Sequence, residues 1–240
     1  MELVLPLYPD YTPATETTEH TKHVDITPVI GVAGVGKNTL MSLSGIHTVT
    51  SDTTRDEREN DGVMEQNGVE YFFRGNELYA VYLGIANGEY VQWAPGPNNN
   101  IYGSRNSSYP AEGPALIDMV SIEVPRMRAL SKNFRSMDFA YIVKEDHSKW
   151  IDQLLGRGEI ADADLLSRKH EGYESLTFGL EDKDISFFVN DDKDDAAEEL
   201  RRFALSREKP KDQVRARNCG YAMLRGIAKD LGLPLVYPLG

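Results

Sequence analysis

Gly31, Gly34 and Gly36 sit within six residues of one another and are followed at once by Lys37, in the stretch Gly31-Val32-Ala33-Gly34-Val35-Gly36-Lys37-Asn38-Thr39. Glycine lets a backbone curl tightly, so that successive N–H groups converge on an anion, and a helix starting at Lys37 would add its partial positive charge. Lys37 would reach the outer phosphates as a point charge. The spacing satisfies G-x-x-x-x-G-K, but Asn38 stands where a hydroxyl residue usually supplies a Mg²⁺ ligand. Its amide oxygen is a weaker metal donor, and Thr39 comes one position late. Ser51-Asp52-Thr53-Thr54-Arg55-Asp56-Glu57-Arg58, polar throughout, reads either as a solvated loop or, with two arginines three apart beside three hydroxyls, as a grip on a second phosphate. Planar guanidinium groups grip a phosphate bidentately.

These residues need a scaffold. The apolar segment Ile26 to Ile30 before the glycine loop and the short helical run Thr39 to Leu43 after it make a strand–loop–helix unit. Further strands are predicted at 47–51, Asn87 to Trp93, Ala115 to Val120, Phe139 to Val143 and Ile185 to Asn190. Helices are predicted over Val124 to Ser131, from Trp150 to Leu155, from Asp162 to Tyr173, over Ala196 to Leu205 and over Tyr221 to Leu231. Strands alternating with helices predict an α/β fold with a mostly parallel sheet flanked by helices. A turn-rich, antiparallel block at about 47–110 interrupts the alternation as an insertion. Within it, Asn67 to Phe73 reads as a hairpin that leaves Tyr71 available to a cleft. Asp118, in a buried-strand pattern, is an acid available for metal or water positioning.

Residues 1–24 mix Pro, Thr, Glu and His and read as a tail or loosely docked arm, with His20 and His23 in a solvated turn. Residues 206–240 carry a basic patch (Arg207, Lys209, Lys211, Arg215, Arg217) and a terminal helix pattern, expected to dock on the sheet or to pair in a dimer. At 240 residues and 40% hydrophobic content the chain can bury one sizeable core. A net charge of −12 argues against a polymeric nucleic-acid or anionic-membrane partner. No apolar run approaches membrane-span length, and the single cysteine, Cys219, reads as a small buried hydrophobe in a cytoplasmic protein, monomeric or homodimeric.

The order of motifs from about residue 26 to 205 resembles the guanylate kinase family of P-loop nucleoside monophosphate kinases. The glycine loop is similar to that family's G-P-S-G-x-G-K-S-T, Ser51 to Arg58 to its S-x-T-T-R-x-x-R, Gly68 to Phe73 to its G-x-x-Y-x-F after an insertion around 63–67, and Tyr102-Gly103-Ser104 to its Y-G-T/S. Gly156-Arg157-Gly158, Arg168 and Val189-Asn190-Asp191-Asp192 follow in the family's order. The resemblance implies a P-loop NTPase-type sheet in a domain at 25–205, with a monophosphate-binding insertion at about 47–110 and a helical lid at about 146–174. It implies that Lys37 and the loop residues Gly31, Gly34, Val35, Gly36, Asn38 and Thr39 hold ATP with Mg²⁺, and that Asn190 meets the adenine. Ser51, Arg55, Arg58, Tyr71 and Tyr102 would hold the acceptor phosphate, with Gln92 and Ser104 at the base, while Arg157 and Arg168 would spread charge over the transferring phosphoryl group.

Departures fall where the base is read and in the lid. Gln92 stands at the position of a family glutamate, a family aspartate would fall near Val120-Ser121 with Asp118 three residues early, and Gln153 stands where the family often shows a further arginine. Two functions therefore stand: an ATP-dependent nucleoside monophosphate kinase acting on GMP or dGMP, or a catalytically weak module that binds a phosphorylated peptide through the acceptor-phosphate grip.

Overall fold

The computed structural model describes residues 11–60, 62–156 and 160–234. In chain order the elements are α1 (Thr15–Thr21), β1 (Val24–Gly31), α2 (Lys37–Ser44), β2 (His47–Thr48), β3 (Asp52–Thr53), β4 (Glu59–Asn60), β5 (Val63–Met64), β6 (Phe72–Phe73), α3 (Leu78–Ala86) and β7 (Tyr90–Pro95). There follow β8 (Ile101–Arg105), β9 (Gly113–Asp118), α4 (Val124–Ala129), β10 (Ser136–Met137), β11 (Ala140–Val143), α5 (His147–Leu155), α6 (Asp162–Glu181), β12 (Ser186–Val189), α7 (Lys193–Ser206) and α8 (Gln213–Leu231). A mostly parallel sheet takes the order β12-β11-β1-β9-β2, with β10 also paired to β1. The pairings of β1 with β10 and β11, of β11 with β12, and of β2 with β9 are all parallel. Its central strands β1, β11 and β12 are mostly buried along their length, as helix-covered parallel strands must be, whereas the short β2 and β10 are not. None of the described helices is long and apolar enough to cross a membrane.

The chain divides into two compact units. One contains 27–46, 118–122 and 138–240, and so holds the glycine loop, α2, β11, β12 and α5 to α8. Here α8 packs on α5, α6, β11 and β12, while α7 packs on α2 and β12. The ring of Tyr141 stacks on Phe187 at 4.9 Å. Arg217, expected in an exposed basic patch, lies instead over the Phe187 ring at 4.8 Å and donates to the carbonyls of Leu180, Asp182 and Ile185. Its guanidinium fork thereby ties the end of α6 to the residue that precedes β12. Cys219 is buried, and burial raises its thiol pKa.

The other unit contains residues up to Ile26, 47–117 and 123–137. Its four-stranded sheet runs β6-β3-β8-β7, antiparallel where β8 meets β3 and β7 and parallel where β3 meets β6. Its core is Tyr11, Val81, Ile85, Tyr90, Trp93 and Ile101. Two local expectations fail here. The hairpin is β4–β5, in the insertion, whereas Phe72 and Phe73 pair in parallel with Asp52 and Thr53 and the Gly68 N–H closes a short loop on the Tyr71 carbonyl. Residues 11–23 are not a loose arm: α1 is fixed by Thr17 Oγ1 donating to Gly88 O (2.8 Å), Thr21 Oγ1 to Asn133 O (2.7 Å) and Tyr11 OH to Tyr90 O. The inward face of α1 is made of threonines four apart, which bury by hydrogen bonding and so leave no apolar period to read.

Candidate functional site

One group of candidate residues is the glycine loop between β1 and α2. Gly34 and Gly36 have φ of +80° and +96°, a region open chiefly to glycine, and a Cβ on them would lie 2.8 Å from Leu154 Cδ1 and 2.5 Å from Asn190 Nδ2. The loop carbonyls are held from outside. Trp150 Nε1 donates to Ala33 O, Gln153 Nε2 to Gly34 O and Asn190 Nδ2 to Val35 O, each at 2.8 Å. Trp150 and Gln153 share a face of α5 because they are three apart, and α5 begins where Asp146 accepts from the Lys149 N–H. Asn190 follows β12 directly. Its N–H donates to Val143 O and its carbonyl accepts from Lys144 Nζ at 2.6 Å. Partial burial lowers the pKa of Lys144.

Lys37 opens α2. Its Nζ donates to Gly31 O at 2.9 Å and stands 3.6 Å from the Asp118 carboxylate at the end of β9. Asn38 and Thr39 lie in the first turn of α2 and are exposed. Among the described residues no three His, Cys, Asp or Glu cluster to hold a metal. Asp118 is held by Lys37, and Asn38 and Thr39 are exposed at the start of α2. Arg168 lies half-buried on α6. Arg157 lies outside the described residues.

A second group of candidate residues lies in the other unit. Arg55, expected to await a phosphate, is buried and paired with Glu65: Nη1 donates to Oε2 at 2.5 Å and Nη2 to Oε1 at 2.8 Å. The side chains of Arg55 and Glu65 are only 7% and 9% exposed. The Glu65 hydrogen bond is the largest influence raising the Arg55 pKa. Arg55 also lies over the rings of Tyr71 (5.0 Å) and Phe73 (5.2 Å), and Tyr71 meets Tyr102 edge-on at 5.8 Å. Thus Arg55, Tyr71 and Tyr102 are brought together. The Arg58 side chain is exposed, although its backbone N–H donates to Glu65 Oε2 at 2.9 Å. The carbonyl of Ser51 accepts from the Phe72 N–H at 2.9 Å.

The base-reading candidates form a chain of their own. Gln92 Nε2 donates to Ser104 Oγ at 3.3 Å, and Ser104 Oγ lies 2.7 Å from the Tyr109 hydroxyl. Burial drives the Tyr109 pKa far up, so the phenol stays neutral. Beneath them Asp52, 2% exposed, accepts from Tyr90 OH (2.6 Å) and Arg105 Nε (2.9 Å). That network ties β3 to β7 and β8.

Motif reasoning overlooks Glu65, Asp52 and the clamp formed by Trp150, Gln153 and Asn190. The signal for Glu65 is the dipeptide Asp61-Gly62, a hairpin marker whose return strand carries Glu65 back to Arg58; their backbones pair through Glu65 N–H to Arg58 O at 2.9 Å. Nothing local marks Gln153 or Trp150, since the carbonyls they hold are more than a hundred residues away.

No protein-family model matches the chain. It is 26% identical over 176 residues to a guanylate kinase of Thermotoga maritima, covering 70% of this chain and 80% of that protein. The crystal structure of guanylate kinase from Anaplasma phagocytophilum superposes with a TM-score of 0.50 at 15% identity, over 90% of this chain and 99% of that one, a likeness of fold.

Proposed function

We propose that this relative of the guanylate kinases transfers the terminal phosphoryl group of ATP to a nucleoside monophosphate, with GMP or dGMP as acceptor. The observation that carries the reading is the glycine loop: its carbonyls are tied back by side chains, and Lys37 stands at its mouth beside Asp118. A module that only binds a phosphorylated peptide needs no such polyphosphate cradle.

In this reading the loop N–H groups of Gly31 to Thr39 and the Lys37 ammonium bind the donor phosphates. Ser51, Arg55, Arg58, Tyr71 and Tyr102 hold the acceptor phosphate, and Gln92 with Ser104 faces its base. An acceptor phosphate oxygen attacks the terminal phosphorus of ATP, the bond to the bridging oxygen breaks, and ADP leaves with that electron pair. Arg157 and Arg168 neutralise charge spread over the transferring group. Such chemistry asks for positioning and electrostatics rather than a protein nucleophile. Mg²⁺ supplies charge neutralisation on the phosphates, and Asn38 and Asp118 are the side chains that would hold it.

The test is ADP release with MgATP and each of GMP, dGMP, AMP, UMP and CMP. Turnover is expected with the guanine nucleotides first. Folded protein that turns over none of the five would refute the kinase reading and favour the phosphopeptide module.

A further inference from the structure

The clamp on the glycine loop has a geometric consequence. In a trans peptide unit the C=O and the following N–H point in opposite directions. Fixing the carbonyls of Ala33, Gly34 and Val35 therefore fixes the N–H groups of Gly34, Val35 and Gly36. The Val35 N–H closes a turn on Val32 O at 3.3 Å. Those of Gly34 and Gly36 are the ones the clamp turns toward an anion. Without outside donors, three successive carbonyls in a tight loop would compete for water and for the N–H groups, and the peptide planes could flip.

The three donors differ in how they are anchored. Trp150 is fully buried, so its indole belongs as much to the core as to the loop. Gln153 is half-buried on α5 and touches the loop by its amide at Gly34 O. Asn190 is 4% exposed, its amide lies under Gly36, and any side chain at that glycine would strike it. Its amide thus goes to the loop, although the resemblance assigns it to the adenine.

We infer that Gln153 and Asn190 are positioning residues which hold the glycine loop in its anion-receiving form before nucleotide arrives. The inference rests on the proposed donor role of the loop. The resemblance places Gln153 where the family often shows an arginine, and here the glutamine preorganises the cradle through Gly34 rather than bringing a charge to the phosphates. Asn190 does the same through Val35, and the two together leave the loop little to reorganise on binding.

Binding and turnover test this on the full chain. Gln153→Met keeps the side chain's length and removes the donor. Its affinity for ADP, and for inorganic tripolyphosphate as a probe without a nucleoside, should fall about three- to tenfold, the range of one net hydrogen bond. The KM for ATP should rise by the same factor, with the KM for the monophosphate unchanged and kcat within about twofold, because the loop binds ground and transition states alike. Gln153→His, whose Nε2 can donate from nearly the same place, should restore most of the loss. Wild-type affinity for tripolyphosphate in Gln153→Met would overturn the inference, as would an equal loss of acceptor affinity or no recovery in Gln153→His. If the wild type turns over no monophosphate while Gln153→Met still binds tripolyphosphate more weakly, the kinase reading falls and the clamp stands.

Discussion

The pairing of Arg55 with Glu65 makes Glu65→Gln the most informative single change. The glutamate accepts hydrogen bonds from Arg55 Nη1 (2.5 Å), Arg55 Nη2 (2.8 Å) and the Arg58 N–H (2.9 Å). Glutamine can keep its oxygen on the first and third, but its NH₂ then faces Arg55 Nη2, donor against donor, and the counter-charge is gone. Breaking a buried pair by removing one charge costs about 3–5 kcal/mol. With the bonds from Arg55 Nη1 and the Arg58 N–H kept, the lower end applies, about 3 kcal/mol. For a chain of this size about 1 kcal/mol moves Tm by about 2–4 °C, so a fall of about 6–12 °C is expected. A monophosphate gripped by Arg55 would resupply the missing negative charge. Differential scanning calorimetry with and without GMP should therefore show a larger ligand-induced rise in Tm for Glu65→Gln than for the wild type. An equal or smaller rise would mean that the acceptor phosphate does not meet Arg55, and a Tm fall under about 2 °C would mean that the pair is worth no more than a surface ion pair.

Lys37→Met removes the cation at the mouth of the loop; kcat with MgATP should drop about a hundredfold or more, as when one oxyanion donor is lost, whereas the far-UV CD spectrum should be unchanged. Gln92→Glu replaces a neutral acceptor with a charged one, and the KM for GMP should fall about tenfold if Gln92 meets the base, with the KM for AMP unimproved. The N-cap carboxylates Asp146 and Asp192 have pKa values lowered below 3.8, chiefly by the backbone N–H groups of Lys149 and Asp195 respectively. Folded pKa values below the unfolded one mean that their contribution is fully present above about pH 4 and is lost as pH falls through the folded values. Urea unfolding of Asp192→Asn, which keeps a capping oxygen without the charge, should accordingly lose less stability than the wild type on going from pH 5 to pH 3.

What can be read from the chain alone is set by how local each signal is. The glycine loop, α2 and the strands around them announce themselves, because a φ near +90° at Gly36 and an apolar run buried on both faces are properties of neighbouring residues. Arg55 is found for the same reason, but its state is not. Whether a guanidinium waits for a phosphate or already holds a carboxylate depends on a hairpin that returns Glu65 across ten residues. The helix α1 escapes notice because its buried face is hydroxyl rather than apolar, and hydropathy cannot mark a threonine that will find a carbonyl at Gly88 or Asn133. Gln153 shows the same limit in reverse. Against a motif it is a lost positive charge, and only the distance from its amide to the Gly34 carbonyl gives it a role. A substitution in a lid motif has to be weighed by what the new side chain can donate as well as by the charge that is gone. By that standard Asn38 and Gln92 differ from Gln153: Asn38 is exposed at the start of α2, while Gln92 gives an N–H to Ser104 rather than to the glycine loop.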